Sequence, residues 1–420
     1  MRVPWRSFLR PLGRWPGRDP RIPRRSGVPR GSCGVIGGPA REPSGASAPV
    51  AAGLLVLALC GAGAGMAHAQ APTAGAKTPD PILLKDYKPV SIHRVPVTTV
   101  PRARHPAIDM HAHPWAKTPE DVDRWVKVMD EVGVEKTVLL TYAHGEEFDR
   151  LVQLYSRHPT RFELWCGFDY TGYDQPGYGP AAVAELERCV RKGASGVGEE
   201  GDKGLGMDFG KAKGLHFDDA RLAPLLGRCA DLGIPVNIHV ADPIWMYQKM
   251  DETNDGMMNA VNWRLDDKPG IVDHSGMIDV LERAVRRHPR TTFVACHLAN
   301  LDYDLARLGQ LLDRLPNLYA DISARYAETA VTPRAAARFF TRYQDRLVYG
   351  TDMGGDVDMY RLTFRILETL DEHFYAPIFE YHWSYSGFGL EDPVLKKLYR
   401  TNALHVAQRA AKNASRAGAR

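Results

Sequence analysis

The sequence predicts an α/β protein of the (β/α)8 (TIM) barrel class, with an extended arm before the barrel and helices after it. Three observations predict it. Short apolar runs alternate with amphipathic segments eight times between residues 107 and 350, the pattern of a parallel sheet covered by helices. Eight such units in roughly 250 residues match a closed barrel. No Gly-rich phosphate loop follows the first run, which leaves the alternative of an open doubly wound sheet without support.

The chain has 420 residues, and residues 1–69 read as a leader. Residues 1–50 are rich in Arg, Pro and Gly, Val50 to Cys60 is almost wholly apolar, and Ala67-His68-Ala69 follows. A basic region, a short apolar core and an Ala-x-Ala site make a secretory signal peptide; the core is too short to span a bilayer. Cleavage after Ala69 leaves 351 residues and an exported protein, periplasmic or secreted. The long basic stretch also allows a later start, at Val28 or Val35. Arg24-Arg25 stands too far from the apolar core for a twin-arginine signal, and Leu59 before Cys60 argues against a lipoprotein box.

The leader carries ten Arg against Asp19 and Glu42, so the net charge of +4 becomes −4 without it. The basic balance belongs to the leader, and what remains shows no electrostatic footprint for nucleic acid and no membrane segment. Cys166, Cys189, Cys229 and Cys296 remain, without metal-type spacing and inside apolar patterns. Buried free thiols are expected, and a disulfide stays open.

Residues 70–105 are polar and Pro-rich, an extended arm, and the barrel domain is expected over 106–411. Ala107 to Met110 is the first strand. Thr118-Pro119-Glu120-Asp121 starts a helix with an N-cap, Pro at the first position and an acid at the third, and Gly133 stops it. Lys136 to Tyr142, Phe162 to Phe168 and Ala194 to Glu199 are the second to fourth strands, separated by helices over Glu146 to Arg157 and Ala181 to Arg191. A helix over Asp218 to Leu232 leads to the fifth strand, Pro235 to Val240. Residues 241–275 are long for a βα connection and carry Trp245, Met246, Tyr247, Met250, Met257, Met258 and Trp263. A lid over the substrate and a structural subdomain or oligomer contact fit that segment equally. Met277 to Arg287 is a helix and Thr291 to His297 the sixth strand; Leu305 to Leu315 is a helix and Leu318 to Ile322 the seventh; Ala335 to Tyr343 is a helix and Leu347 to Gly350 the eighth. Helices follow over Tyr360 to His373 and Pro393 to Ala411, with an aromatic stretch between them and a polar tail over 412–420.

Active sites of such barrels form where strands end at their C-terminal face. The first strand delivers His111 and His113, two residues apart and so on one face. The fourth delivers Glu199 and Glu200, the fifth His239, the sixth His297, the seventh Asp321, Ser323 and Arg325, and the eighth Asp352. Each alone fits a surface or core residue; shared placement at strand ends argues for one site. Neutral imidazoles with a carboxylate suit zinc, manganese or iron, with an open position for water.

His-x-His after the first strand, His239, His297, Asp352 in Tyr-Gly-Thr-Asp, and Tyr399-Arg400-Thr401-Asn402-Ala403-Leu404 near the end resemble the amidohydrolase superfamily, in its amidohydrolase-2 branch, from about Ile108 to Ala410. The resemblance implies that His111, His113, His239 and Asp352 bind a catalytic divalent metal. It implies that His297 orients or deprotonates the water, or binds a second metal, and that Asp352 shuttles a proton to the leaving group. Gly198-Glu199-Glu200-Gly201 has no Lys where binuclear members carry a carboxylated Lys or a Glu, and Glu199 is expected as the ligand there. Arg325 is expected either to bind a substrate carboxylate or to pair with a neighbouring loop. The expected cofactor is one or two divalent ions, zinc first.

Three functions follow. The first is a metal-dependent hydrolase of a small-molecule ester, lactone or amide. The alternative is a non-oxidative decarboxylase of a conjugated or aromatic acid. The third, a non-catalytic metal-binding barrel, sits poorly with an open ligand set. Self-association is left open.

Overall fold

A computed structural model describes residues 83–376, 378 and 381–418. The expected leader and the start of the arm lie outside them. Eight parallel strands form one sheet: β1 (Ala107–Ala112), β2 (Val134–Leu140), β3 (Phe162–Cys166), β4 (Gly196–Asp202), β7 (Val236–Val240), β8 (Phe293–Ala295), β9 (Leu318–Asp321) and β10 (Leu347–Val348). Between β4 and β7 a hairpin of β5 (Gly206–Met207) and β6 (Ala212–Lys213) is inserted. The sheet curls until its first and last strands meet: the Met110 amide donates to the Tyr349 carbonyl at 2.9 Å and the Asp352 amide to the His111 carbonyl at 2.7 Å. The barrel expected from alternation is therefore present, with eight parallel strands in a nearly closed ring.

The helices lie where amphipathic spacing places them. α1 (Pro119–Val132) opens on the capping box of Thr118 and Asp121, buries Val122, Trp125, Met129 and Val132, and ends on Gly133 in the left-handed conformation. α2 (Gly145–Tyr155), α3 (Tyr178–Arg191), α4 (Ala223–Leu232), α6 (His274–Arg287), α7 (Leu305–Arg314) and α9 (Pro333–Arg342) cover successive strands, with short α5 (Met257–Ala260) and α8 (Tyr326–Ala330) between. α10 (Val357–Glu368) stops before the expected His373: the Thr369 hydroxyl donates back to the Arg365 carbonyl at 2.8 Å, and the Thr369 backbone is extended. α11 (Asp392–Lys396) leads through one π turn into α12 (Asn402–Gly418), which runs through most of the expected polar tail.

Ile108, Met110, Val138, Leu140, Trp165, Val294, Tyr319 and Val348 form one buried cluster with Ala403 and Val406 of α12. Asn402 at the start of α12 donates to the carbonyls of Gln344 and Leu347, just before and at the start of β10. α12 thus closes the end of the barrel where strands begin. The arm is tied to the domain by Thr98, whose amide and hydroxyl donate to Asp371 at 2.8 and 2.7 Å. The 241–275 segment has its own apolar cluster of Trp245, Met246, Ala260 and Leu265, packed against Tyr381 and Trp383. Trp383 stacks on Tyr381 with ring centroids 4.2 Å apart. The four described cysteines are buried free thiols, as expected.

Candidate metal centre

β1 turns its last residues toward the open end of the barrel. A register shift between Asp109 and Ala112 separates the apolar Ile108 and Met110 from the two imidazoles. His111 and His113 then lie with ring centroids 5.3 Å apart. Glu199 of β4 is the hub they face. Its carboxylate is 3.7 Å from His111 Nε2, 3.5 Å from His113 Nε2 and 3.4 Å from His297 Nε2, and it meets His239 Nδ1 in a short contact. Asp352 closes the ring, 2.8 Å from His113 Nε2 and 3.5 Å from His111 Nε2. Six residues from β1, β4, β7, the turn after β8 and the segments just past β1 and β10 therefore meet at one place. Glycine is required at Gly350, because a Cβ there would stand 2.8 Å from His111 Cβ.

Each ring is held from behind. His111 Nδ1 faces Asp321 Oδ2 at 3.0 Å, His113 Nδ1 the Leu140 carbonyl at 2.9 Å, and His297 Nδ1 the Ser323 hydroxyl at 2.9 Å. His239 Nε2 faces Asp242 Oδ1 at 2.9 Å. These backing contacts fix which nitrogen is free to point at the centre. His111 Nε2 is buried and has no hydrogen-bond partner. Two ligands of one tetrahedral ion stand roughly 3.4 Å apart, and the separations of His111, His113 and His297 from Glu199 fall near that value. His111, Glu199, Cys296 and His297 offer donor atoms within 4.8 Å of one another, as do His111, His113 and Asp352. The donor set fits a divalent cation.

The charges are mutually arranged. Burial alone would raise the Glu199 carboxyl, but the His239 and His111 rings hold it well below the ordinary range. Burial alone would lower His111, but Asp321 and Glu199 raise it well above an ordinary histidine. Burial wins at His297, which is lowered. Asp352 is held below the ordinary carboxylate range by the neighbouring His111 ring and by its hydrogen bond with His113. Glu200 has a different environment: it accepts from the Phe168 amide and the Tyr170 hydroxyl, and burial pushes it up to about 7. It takes no part in the ring around Glu199.

The backbone is strained at this end. His297, Leu298, Ala299 and Asn300 are consecutive left-handed residues, with φ between 53° and 57°. Such a conformation costs about 1–2 kcal/mol per non-glycine residue. The turn is held by Asp321, which accepts from the His297 amide at 2.9 Å, and by Asn300, whose side chain donates to the Val240 and Ala241 carbonyls.

Arg325 is buried just outside the ring. It donates to the Ala324 carbonyl and to Asn300 Oδ1, and lies 3.5 Å from Asp302 and 3.7 Å from Glu328. Its Nε is the atom that approaches Asp302, so the pairing with a neighbouring loop expected as one of its two readings is present. Tyr381 donates to Glu328 at 2.7 Å, which brings the aromatic pair above the 241–275 segment to the same neighbourhood.

Sequence reasoning missed four participants. Tyr142, at the end of the second apolar run, donates to Glu199 in a short hydrogen bond, and its ring stacks on His113 at 5.0 Å. Its position at a strand end was the available signal. Cys296 lies beside His297 and donates to Asn237 Oδ1 at 2.7 Å. Asp242 and Lys203 stand in connecting segments, where no periodic pattern marks them.

A family model described as amidohydrolase matches residues 108–406. No curated protein matches the chain. Among solved structures, a dihydroxybenzoic acid decarboxylase from Polaromonas sp. JS666, with bound manganese and 2-nitroresorcinol, is 16% identical, with 74% of this chain and 99% of that chain covered and a TM-score of 0.46. 4-Oxalomesaconate hydratase from Rhodopseudomonas palustris is 16% identical over 74% of this chain and 98% of that chain, with a TM-score of 0.44. An amidohydrolase from Burkholderia multivorans with bound zinc is 14% identical over 72% of this chain and 99% of that chain, with a TM-score of 0.43.

Proposed function

The chain belongs to the amidohydrolase family, and on that premise we propose that it is a metal-dependent hydrolase of a small-molecule ester, lactone or amide. The observation that carries the reading is the meeting of His111, His113, His239, His297 and Asp352 around the buried Glu199 carboxylate. These six side chains are the proposed ligands of one or two divalent ions, zinc first and manganese or iron next. Glu199, which faces all four imidazoles, would be the central ligand. A divalent ion supplies Lewis acidity there, the property that brings a water's pKa toward roughly 7.

The remaining chemistry belongs to the chain. Asp352 is the ring member most open to solvent, with 30% of its side chain exposed, so it can take a proton from the attacking water and pass it to the leaving group. His297, fixed by Ser323, orients that water. Tyr142 donates to Glu199 and so fixes its carboxylate plane. Arg325, paired with Asp302 and Glu328, is the proposed positive group that a substrate carboxylate would meet at the edge of the ring. The apolar cluster of 241–275, packed against Tyr381 and Trp383, is the proposed lid over the substrate. The signal peptide reading makes the enzyme an exported one.

The test is turnover of a panel of aryl esters, lactones and amides before and after chelation. Activity lost on chelation and restored by zinc or manganese is expected. Turnover insensitive to chelation contradicts the reading. Carbon dioxide release from a conjugated or aromatic acid, with one metal per chain, moves it to a decarboxylase.

A further inference from the structure

We propose that the Lys203–Asp242 ion pair is a positioning device that holds His239 with Nδ1 turned into the Glu199 cluster. The inference rests on the reading of that cluster as a metal site. His239 is held differently from the other three rings. His111 and His297 are backed by Asp321 of β9 and by Ser323 just beyond it, and His113 by the last residue of β2. His239 is backed by Asp242, outside any strand, at 2.9 Å from Nε2. The second oxygen of Asp242 is 2.7 Å from Lys203 Nζ, which comes from the segment after β4. Asp242 is buried, while the Lys203 side chain is 26% exposed.

A carboxylate accepting from Nε2 places the ring proton there and leaves the Nδ1 lone pair for a cation. Lys203 neutralises that carboxylate, so Asp242 is not a buried lone charge. The same lysine stands 5.5 Å from the Phe209 ring centroid, and Phe209 lies edge-on to His239 with centroids 5.7 Å apart. The segment bearing Lys203 is gripped from both ends of the 241–275 insertion. The Lys203 carbonyl accepts from the Tyr247 hydroxyl at 2.9 Å, and the Gly204 carbonyl from the Val272 amide at 2.9 Å. The insertion thereby bears on a ring that faces Glu199.

The test titrates metal-free full-length protein with Zn2+ against a competing chelator and records the melting temperature of each metal-free protein. Asp242→Ala should weaken zinc binding by about 10–100-fold, and Lys203→Met should weaken it less. Lys203→Arg, which keeps the charge, should return affinity close to wild type. The metal-free melting temperature should fall more in Lys203→Met, which leaves the buried Asp242 carboxylate alone, than in Asp242→Ala, where the partly exposed Lys203 can turn to solvent, so the order of the melting temperatures is opposite to the order of the zinc affinities. Equal zinc affinities in wild type, Asp242→Ala and Lys203→Met overturn the positioning role and leave the metal site standing. So does an affinity loss that only tracks a fall in melting temperature. A wild-type chain that takes up no zinc overturns the metal reading itself, and this inference with it.

Discussion

Where the strands begin, Ile108, Met110, Val138 and Trp165 pack against Ala403 and Val406 of α12; where they end, buried Glu199 is ringed by four imidazoles and a second carboxylate. The first end is apolar, and none of its cluster residues is left-handed. The second gathers the left-handed residues Tyr142, Ala241, His297 to Asn300, Ala324 and Asp352 just beyond strand ends. Stability and chemistry are thus separated along the barrel axis. One end supplies burial, and the other spends part of it on strain and like charges held together.

Mutations can break this contrast. The largest expected effect on chemistry is at the strand-finish end. Asp352→Asn should lower kcat by about 10²–10⁴-fold with a melting curve close to wild type. Steady-state rates beside thermal melts check it, and an equal loss of stability would erase the distinction between the ends. At the strand-start end the effect should be reversed. Trp165→Ala removes a buried ring and should cost roughly 3–5 kcal/mol in denaturant unfolding, while activity per folded molecule is retained.

A smaller effect is expected where the arm docks. Burial would raise the Asp371 carboxyl, but its hydrogen bonds from Thr98 and its Arg365 pair hold it below the ordinary range. A carboxyl lowered by folding stabilises above its unfolded pKa and loses that contribution as pH falls through its folded value. Asp371→Ala should cost about 1–3 kcal/mol near neutral pH, with the difference from wild type shrinking as pH falls below about 4. Unfolding measured at several pH values checks it. The smallest effect belongs to the exposed Arg150–Glu147 pair on α2, where Arg150→Ala should change stability by about 0.5 kcal/mol or less.

The same division explains what could be read from sequence. Strands betray themselves by apolar runs, so the residues that end them were found: His111, His113, Glu199, His239, His297 and Asp352 all stand in the ring. Alternation could also separate Glu199 from Glu200, because adjacent strand residues face opposite ways. What lay outside reach were contacts made by loops. Asp242 and Lys203 are 39 residues apart in sequence and 2.7 Å apart in space, and nothing periodic marks either. The hairpin of β5 and β6 has two-residue strands, too short to show alternation. α12 outran its expected end because Ala and Arg in the tail suit a helix as well as a loose terminus.

The central claim is that these six side chains form one divalent-metal site, and metal content per chain tests it most directly. Elemental analysis of the purified protein should find one or two divalent ions per chain in wild type and fewer in Glu199→Ala. A folded wild-type chain that holds no divalent ion after incubation with zinc or manganese would contradict the account.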